Sequence, residues 1–140
     1  MKLTAASLLT SLAALVLGAV AVAAFAPLAW YPLAWLAAGG VYLLLLRASS
    51  PRAGLMLGFT FGLGHFLTGT SWVYVSMSVF GGLPPVLAGL ATVLFCTYLA
   101  LFPALVGALF VRLRHMRFAT DAVAFAALWV LAEWLRGWLF

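Results

Sequence analysis

Apolar residues run through this sequence in blocks too long and too unbroken for a soluble helix or a single strand. They cover residues 3–26, 32–46, 53–79, 85–111 and 119–140. All but the second are long enough to cross the ~30 Å hydrocarbon layer of a bilayer as a helix. The block 32–46 is short, so it tilts little or borrows length from its neighbours. The pattern predicts an all-α integral membrane protein, a polytopic bundle of about five transmembrane helices.

The breaks between blocks are turn chemistry. Pro27 and Pro32 enclose a turn with Trp30 and Tyr31, and Trp35 follows; amphipathic rings of this kind settle at a membrane interface, and Pro32 suits the first turn of a helix. Ser49, Ser50 and Pro51 separate the second block from the third, and residues 80–85 form an uncharged Phe-Gly-Gly-Leu-Pro-Pro turn. Pro103 predicts a kink in the fourth helix, and Thr120 or Asp121 can cap the fifth. The third block carries Gly54, Gly58 and Gly62 at four-residue spacing, followed by Gly64 and Gly69. Such a ridge lets another helix backbone approach closely in lipid.

Both ends of the sequence resemble something else at first reading. Lys2, an apolar core and the triplets Ala21-Val22-Ala23 and Ala24-Phe25-Ala26 imitate a cleavable secretory signal, but four further apolar blocks argue for an uncleaved first helix. Trp138-Leu139-Phe140 closes the last block without a glycine cap, proline or polar tail, so residues 1–140 read as a partial N-terminal transmembrane domain, truncated and without a soluble domain.

Composition and charge add an orientation. The chain is 68% hydrophobic and 6% charged, with mean hydropathy +1.25, too little polar surface to enclose a soluble core. Of the 7 Lys and Arg residues, Lys2, Arg47, Arg52, Arg112, Arg114 and Arg117 fall on one side of an alternating topology and only Arg136 on the other. That bias places the N-terminus and both arginine loops in the cytoplasm, and the turns at 27–32 and 80–85 outside. The arginines come in short loops beside apolar helices, not in a stripe that tracks phosphates, which sets nucleic-acid binding aside and suits anionic membrane lipids. A single cysteine forms no intramolecular disulfide.

Groups able to do chemistry are few: Cys96, His65, His115, Asp121, Glu133, and some Tyr and Ser. Cys96 sits mid-helix with no basic neighbour along the chain, as a packing residue does. His65 lies ~18 Å into the third helix at 1.5 Å per residue, near the bilayer midplane, where it either satisfies itself on a neighbouring helix or serves a function. Glu133 and Arg136 share a helix face. They are either mutual structural glue or a headgroup contact, Arg136 offering a fork suited to phosphate. Trp72, Tyr74 and Ser76 lie at the depth of Trp134 and Trp138, as an aromatic belt or as an aromatic-lined entry for acyl chains. No metal or cofactor site is expected.

Three stretches together resemble one family. Residues 58–76, GFTFGLGHFLTGTSWVYVS, with Phe80-Gly81-Gly82-Leu83-Pro84, resemble the third helix and following loop of bacterial apolipoprotein N-acyltransferase. Residues 127–138, ALWVLAEWLRGW, resemble its fifth helix, and Phe25-Ala26-Pro27 with Trp30-Tyr31-Pro32 its first outer turn. The resemblance implies an inner-membrane enzyme with eight membrane helices and an outer nitrilase-like domain, whose Glu, Lys and Cys triad moves an acyl chain from phospholipid to the N-terminal amine of a diacylglyceryl-cysteine lipoprotein. None of the triad matches a residue here: Cys96 fits no motif position and His65 has no assigned role. The expectation is a membrane platform, inactive alone, with no catalytic residue and with Trp72, Tyr74, Ser76, Glu133 and Arg136 as lipid-contact candidates. A small helper subunit or transporter half, associating through Gly54, Gly58 and Gly62, is the other reading.

Overall fold

The computed structural model describes residues 5–139. Within them are six α-helices and no strand: α1 (Ala5–Ala21), α2 (Pro32–Leu46), α3 (Pro51–Gly69), α4 (Ser71–Val75), α5 (Pro85–Leu113) and α6 (Phe118–Leu139). A 3₁₀ turn, Val22–Ala24, extends α1, and a π turn, Ser76–Phe80, extends α4. Lys2 and Phe140, on which the expected first and last helices drew, lie outside the described residues. Three stretches are long and apolar enough to cross a membrane: Ser7–Ala24, Pro85–Leu113 and Phe118–Leu139. α2, at 15 residues, is shorter, and α3 is diluted by its glycines, threonines and His65. The bundle has an aromatic end, with the turns at residues 25–31 and 80–84, and an arginine end, with Arg47, Arg52, Arg112, Arg114 and Arg117.

The third apolar block is not one helix, as its hydropathy suggested. Gly69 and Thr70 interrupt it: glycine holds a helix poorly, and Thr70 turns its hydroxyl back to the Phe66 carbonyl at 2.6 Å, leaving its backbone at φ −109°, ψ 19°. Beyond the short α4, the Gly81 amide bonds to the Ser76 carbonyl at 2.8 Å, the wider spacing of a π turn. The start of α3 is built by Ser50, whose hydroxyl accepts from the Ala53 amide at 3.3 Å, with Pro51 in the first turn. Asp121 does not cap α6 as anticipated. The helix already begins at Phe118, and the buried Asp121 carboxylate accepts from the His115 amide at 2.8 Å in the preceding loop.

α3 lies between α1 and α5, and glycines set both contacts. A side chain at Gly58 would collide with the Pro103 carbonyl, at Gly54 with the Gly107 carbonyl, and at Gly62 with the Ala100 backbone. On the other flank, Gly64 faces the Leu15 carbonyl and Gly18 of α1 faces the Phe61 carbonyl. The Gly54, Gly58 and Gly62 ridge is therefore occupied by α5 and presents no free face for a partner helix. α5 continues as one helix through Pro103, whose ring packs over Gly62.

At the arginine end, Arg114 ties α5 to α2. Its guanidinium donates to the carbonyls of Leu45 and Leu46 from Nη1 and of Ala48 from Nη2, each at 2.6 Å. These are carbonyls that the end of a helix leaves without intrahelical partners, and a cation there also suits the helix dipole. Tyr42 of α2 completes this layer: its ring packs against Phe110, Phe118 and Phe125, and its hydroxyl donates to the Phe118 carbonyl at 2.8 Å.

Gly58→Ala should destabilise the bundle by about 1–3 kcal/mol, the cost of overpacking a close contact. Gly89→Ala, at a helical glycine with open space beside it, should be neutral or slightly stabilising. Thermal unfolding of both variants in detergent checks the contrast.

Candidate functional site

Helix periodicity brings residues from five helices, α1, α2, α3, α5 and α6, onto one void in the aromatic half of the bundle. On α2, Ala34, Ala37 and Ala38 share a face and leave room beside it; on α6, Trp129, Glu133 and Arg136 repeat at four and three residues; on α3, Phe61 and His65 are one turn apart. With Ala21, Phe25, Phe66 and Pro103 they enclose a cavity of about 410 Å³. That lies within the ~300–1,000 Å³ usual for small-ligand clefts. Its walls are hydrocarbon and aromatic, and its polar groups are three: His65, Glu133 and Arg136.

His65 is held among rings. It stacks on Phe61 with centroids 6.3 Å apart and planes 4° from parallel, and meets Phe66 and Phe25 edge-on at 5.1 and 6.2 Å. Its Nδ1 is buried and has no hydrogen-bond partner among the described residues. Glu133 and Arg136 form an ion pair through one guanidinium nitrogen. Arg136 also lies over the Phe66 ring, its Cζ 5.5 Å from the centroid, a cation–π contact that fixes the fork at the cavity rim. The two side chains remain 30% (Arg136) and 47% (Glu133) exposed, so the pair is too open for its attraction alone to matter much to stability.

The residues singled out from sequence separate here. Glu133 and Arg136 line the cavity; Trp72, Tyr74 and Ser76 do not. Those three sit on α4 and the π turn at the bundle surface, Trp72 at 64% and Tyr74 at 38% exposure, with Ser76 exposed as well. His65, to which no role was given, is at the centre. Its four-residue spacing from Phe61 was visible, but the helices completing the cavity were not.

The arrangement suits binding better than bond making. Cys96 is fully buried in a cluster with Phe66, Leu99 and Ala100 and lies 3.0 Å from the Thr70 hydroxyl. Since that hydroxyl spends its proton on the Phe66 carbonyl, the thiol donates to Thr70 oxygen and helps pin the break after α3. A thiol so placed has no base to activate it. Among the described residues, no three His, Cys, Asp or Glu side chains gather as a metal site would require.

The family model for the apolipoprotein N-acyltransferase N-terminal domain matches residues 17–140. Among curated proteins, the chain is similar to the apolipoprotein N-acyltransferase of Nitrosomonas europaea, 50% identical over 100 residues that make up 70% of this chain and 20% of the relative. The enzyme of the same name from Ralstonia nicotianae is 44% identical over 105 residues, 73% of this chain and 20% of the relative. That from Methylococcus capsulatus is 47% identical over 93 residues, 66% and 18% respectively. The chain thus spans about a fifth of the length of the curated relatives it matches.

If Glu133 and Arg136 serve mainly to neutralise each other, Glu133→Gln or Arg136→Gln alone should reduce the membrane abundance of the folded chain several-fold, and the double variant should restore much of it. Their exposure argues otherwise. The expected outcome is near-normal abundance for all three variants, measured by quantitative blotting of membranes.

Proposed function

Because the chain belongs to the apolipoprotein N-acyltransferase family, matching its N-terminal domain, we propose that it is the membrane-embedded part of an enzyme that moves an acyl chain from a phospholipid to the N-terminal amine of a diacylglyceryl-cysteine lipoprotein. The enzyme resides in the bacterial inner membrane, with the arginine end of this domain in the cytoplasm and the aromatic end at the outer leaflet. The observation that carries this reading is the position of Arg136: a guanidinium held over Phe66, at the rim of an apolar cavity, in the half of the bundle where lipid headgroups would meet it.

The chemistry follows from what these residues can and cannot do. Transfer needs an activated nucleophile to accept the acyl group from the ester, and the buried, unactivated Cys96 thiol does not supply one. The domain contributes binding and orientation. Arg136 meets phosphate oxygens with charge-assisted hydrogen bonds, Glu133 keeps the fork aimed, and the cavity walls receive hydrocarbon. Trp72, Tyr74 and Ser76, exposed at the same end, contact lipid as an interfacial belt. Alone, residues 1–140 transfer no acyl group.

A chimera tests the assignment. Residues 1–140 would replace the matching segment of the Nitrosomonas europaea relative, and acyl transfer from phospholipid to a diacylglyceryl peptide would be measured in membranes. The chimera should transfer and the 140-residue chain should not. Arg136→Gln in the chimera should slow transfer about tenfold or more at unchanged abundance, as loss of a charge-assisted phosphate contact does. A chimera that inserts normally but transfers nothing contradicts the reading.

Orientation has its own check. In a Cys96→Ala background, Gly82→Cys should react with an impermeant maleimide added outside intact cells, and Ser49→Cys should react only after the membrane is opened. Labelling of Ser49→Cys from outside would reverse the topology.

A further inference from the structure

The arginine end, away from the cavity, carries more positive charge than the chain itself balances. The sequence holds two acidic side chains, and neither serves there. Glu133 pairs with Arg136 in the aromatic half, and Asp121 is fully buried, with one oxygen accepting from the His115 amide. Arg47, Arg52, Arg112 and Arg117 are all exposed, and among the described residues their guanidinium groups have no hydrogen-bond or ion-pair partner. Four cations at one end of a bundle repel each other unless anions come between them. Those anions come from outside the chain.

The fifth arginine holds the other four in one arrangement. Arg114 reaches from the end of α5 to the carbonyls of Leu45, Leu46 and Ala48, each at 2.6 Å, so residues 45–52 and 112–118 are fastened side by side. The Tyr42 hydroxyl on the Phe118 carbonyl is a second tie between them. Arg47 lies among the residues that receive the brace, and Arg112 and Arg117 flank Arg114 on its own loop. Arg52 belongs to the same layer, because Gly54, two residues on, packs against Gly107 and Val111 of α5. Each free guanidinium presents a planar fork of N–H donors that suits phosphate oxygens.

Apolar side chains among these arginines identify the source of the anion. Leu113, Met116 and Phe118 alternate with Arg112, Arg114 and Arg117 and are exposed, Met116 at 71% and Phe118 at 67%. The apolar spans end at Leu113 and begin again at Phe118, so this loop stands at headgroup depth. A free anion would leave the apolar side chains in water, whereas a phospholipid sets its phosphate against the arginines and its acyl chains against Met116 and Phe118. A zwitterionic lipid brings its own ammonium with the phosphate and leaves the excess charge unbalanced; a lipid of net negative charge removes it. We propose that the arginine end is a docking surface for anionic phospholipid headgroups, which bridge residues 47–52 and 112–117 through Arg47, Arg52, Arg112 and Arg117. The surface lies at the opposite end from Arg136 and does not depend on the acyltransferase assignment.

The test uses phosphatidylglycerol bearing a diazirine near the glycerol end of one acyl chain, beside phosphatidylcholine with the same chain. Each probe is irradiated with the 140-residue chain in phosphatidylcholine nanodiscs, and adducts are mapped by mass spectrometry, with Val79 and Phe80 at the opposite end as the reference. Relative to that reference, adducts at Leu113, Met116 and Phe118 should favour phosphatidylglycerol about fivefold or more, the factor that even one arginine contributes at an anionic surface. Arg47→Gln, Arg52→Gln, Arg112→Gln and Arg117→Gln together should remove the preference, and Arg136→Gln should leave it. Equal labelling of the wild-type loop by the two probes overturns the proposal without requiring any variant to fold, and so does a preference that survives the four replacements together. Inorganic phosphate in large excess, at constant ionic strength, should not displace the phosphatidylglycerol probe; displacement would assign the arginines to a free anion and overturn the lipid.

Discussion

The close approach of α3 to its two neighbours is the constraint on which the rest of the structure depends. Lipid offers no hydrophobic driving force between helices, so association relies on packing, and packing is tightest where side chains are missing. Gly54, Gly58 and Gly62 bring α5 against the backbone of α3, while Gly64 and Gly18 do the same for α1. At such distances Cα–H groups meet carbonyl oxygens, adding weak hydrogen bonds to the dispersion contacts. A helix too dilute in apolar residues to match the long spans becomes the centre of the bundle because protein, not lipid, covers much of it.

That packing also determines where the cavity lies. With α1 and α5 drawn against α3, α2 and α6 are left to close the aromatic half, and α2 presents alanines there instead of large side chains. In the opposite half Tyr42, Phe110 and Phe125 interlock, and Arg114 fastens α5 to the end of α2. One end of the bundle is thus locked by aromatic packing and a capping arginine, and the other holds a void with a histidine, an ion pair and apolar walls. The lipid contacts proposed for Arg136 and Glu133 belong to the half that holds the void.

Long apolar blocks bounded by proline, serine and arginine made the helices legible in the sequence, and the motifs at residues 25–32, 58–84 and 127–138 made the family so. The glycine spacing in α3 announced a close helix contact, although not that the partner was α5 of the same chain. The break at Thr70 was hidden because hydropathy does not register a threonine turning back onto its own helix, nor a thiol arriving from α5 to hold it. Glu133 and Arg136 were recognisable as a pair by their spacing. His65 was not assignable, because its meaning comes from three rings and two helices far away in sequence. Trp72, Tyr74 and Ser76 stand out as a motif, yet they face outward from a short helix and the π turn after it, which the continuous pattern did not predict.

α3 and α5 touch through their backbones inside a single chain. Magic-angle-spinning NMR of the protein in lipid bilayers, with ¹³C at glycine Cα and at the proline carbonyl, observes that contact directly. A strong Gly58–Pro103 cross-peak is predicted, corresponding to a Cα-to-oxygen separation of about 3.3–3.6 Å, and it should fade in proportion when the doubly labelled protein is diluted tenfold with unlabelled chain only if the contact joins different molecules. An intramolecular peak of undiminished strength per labelled chain supports the account, whereas its absence, or its loss on dilution, would contradict it.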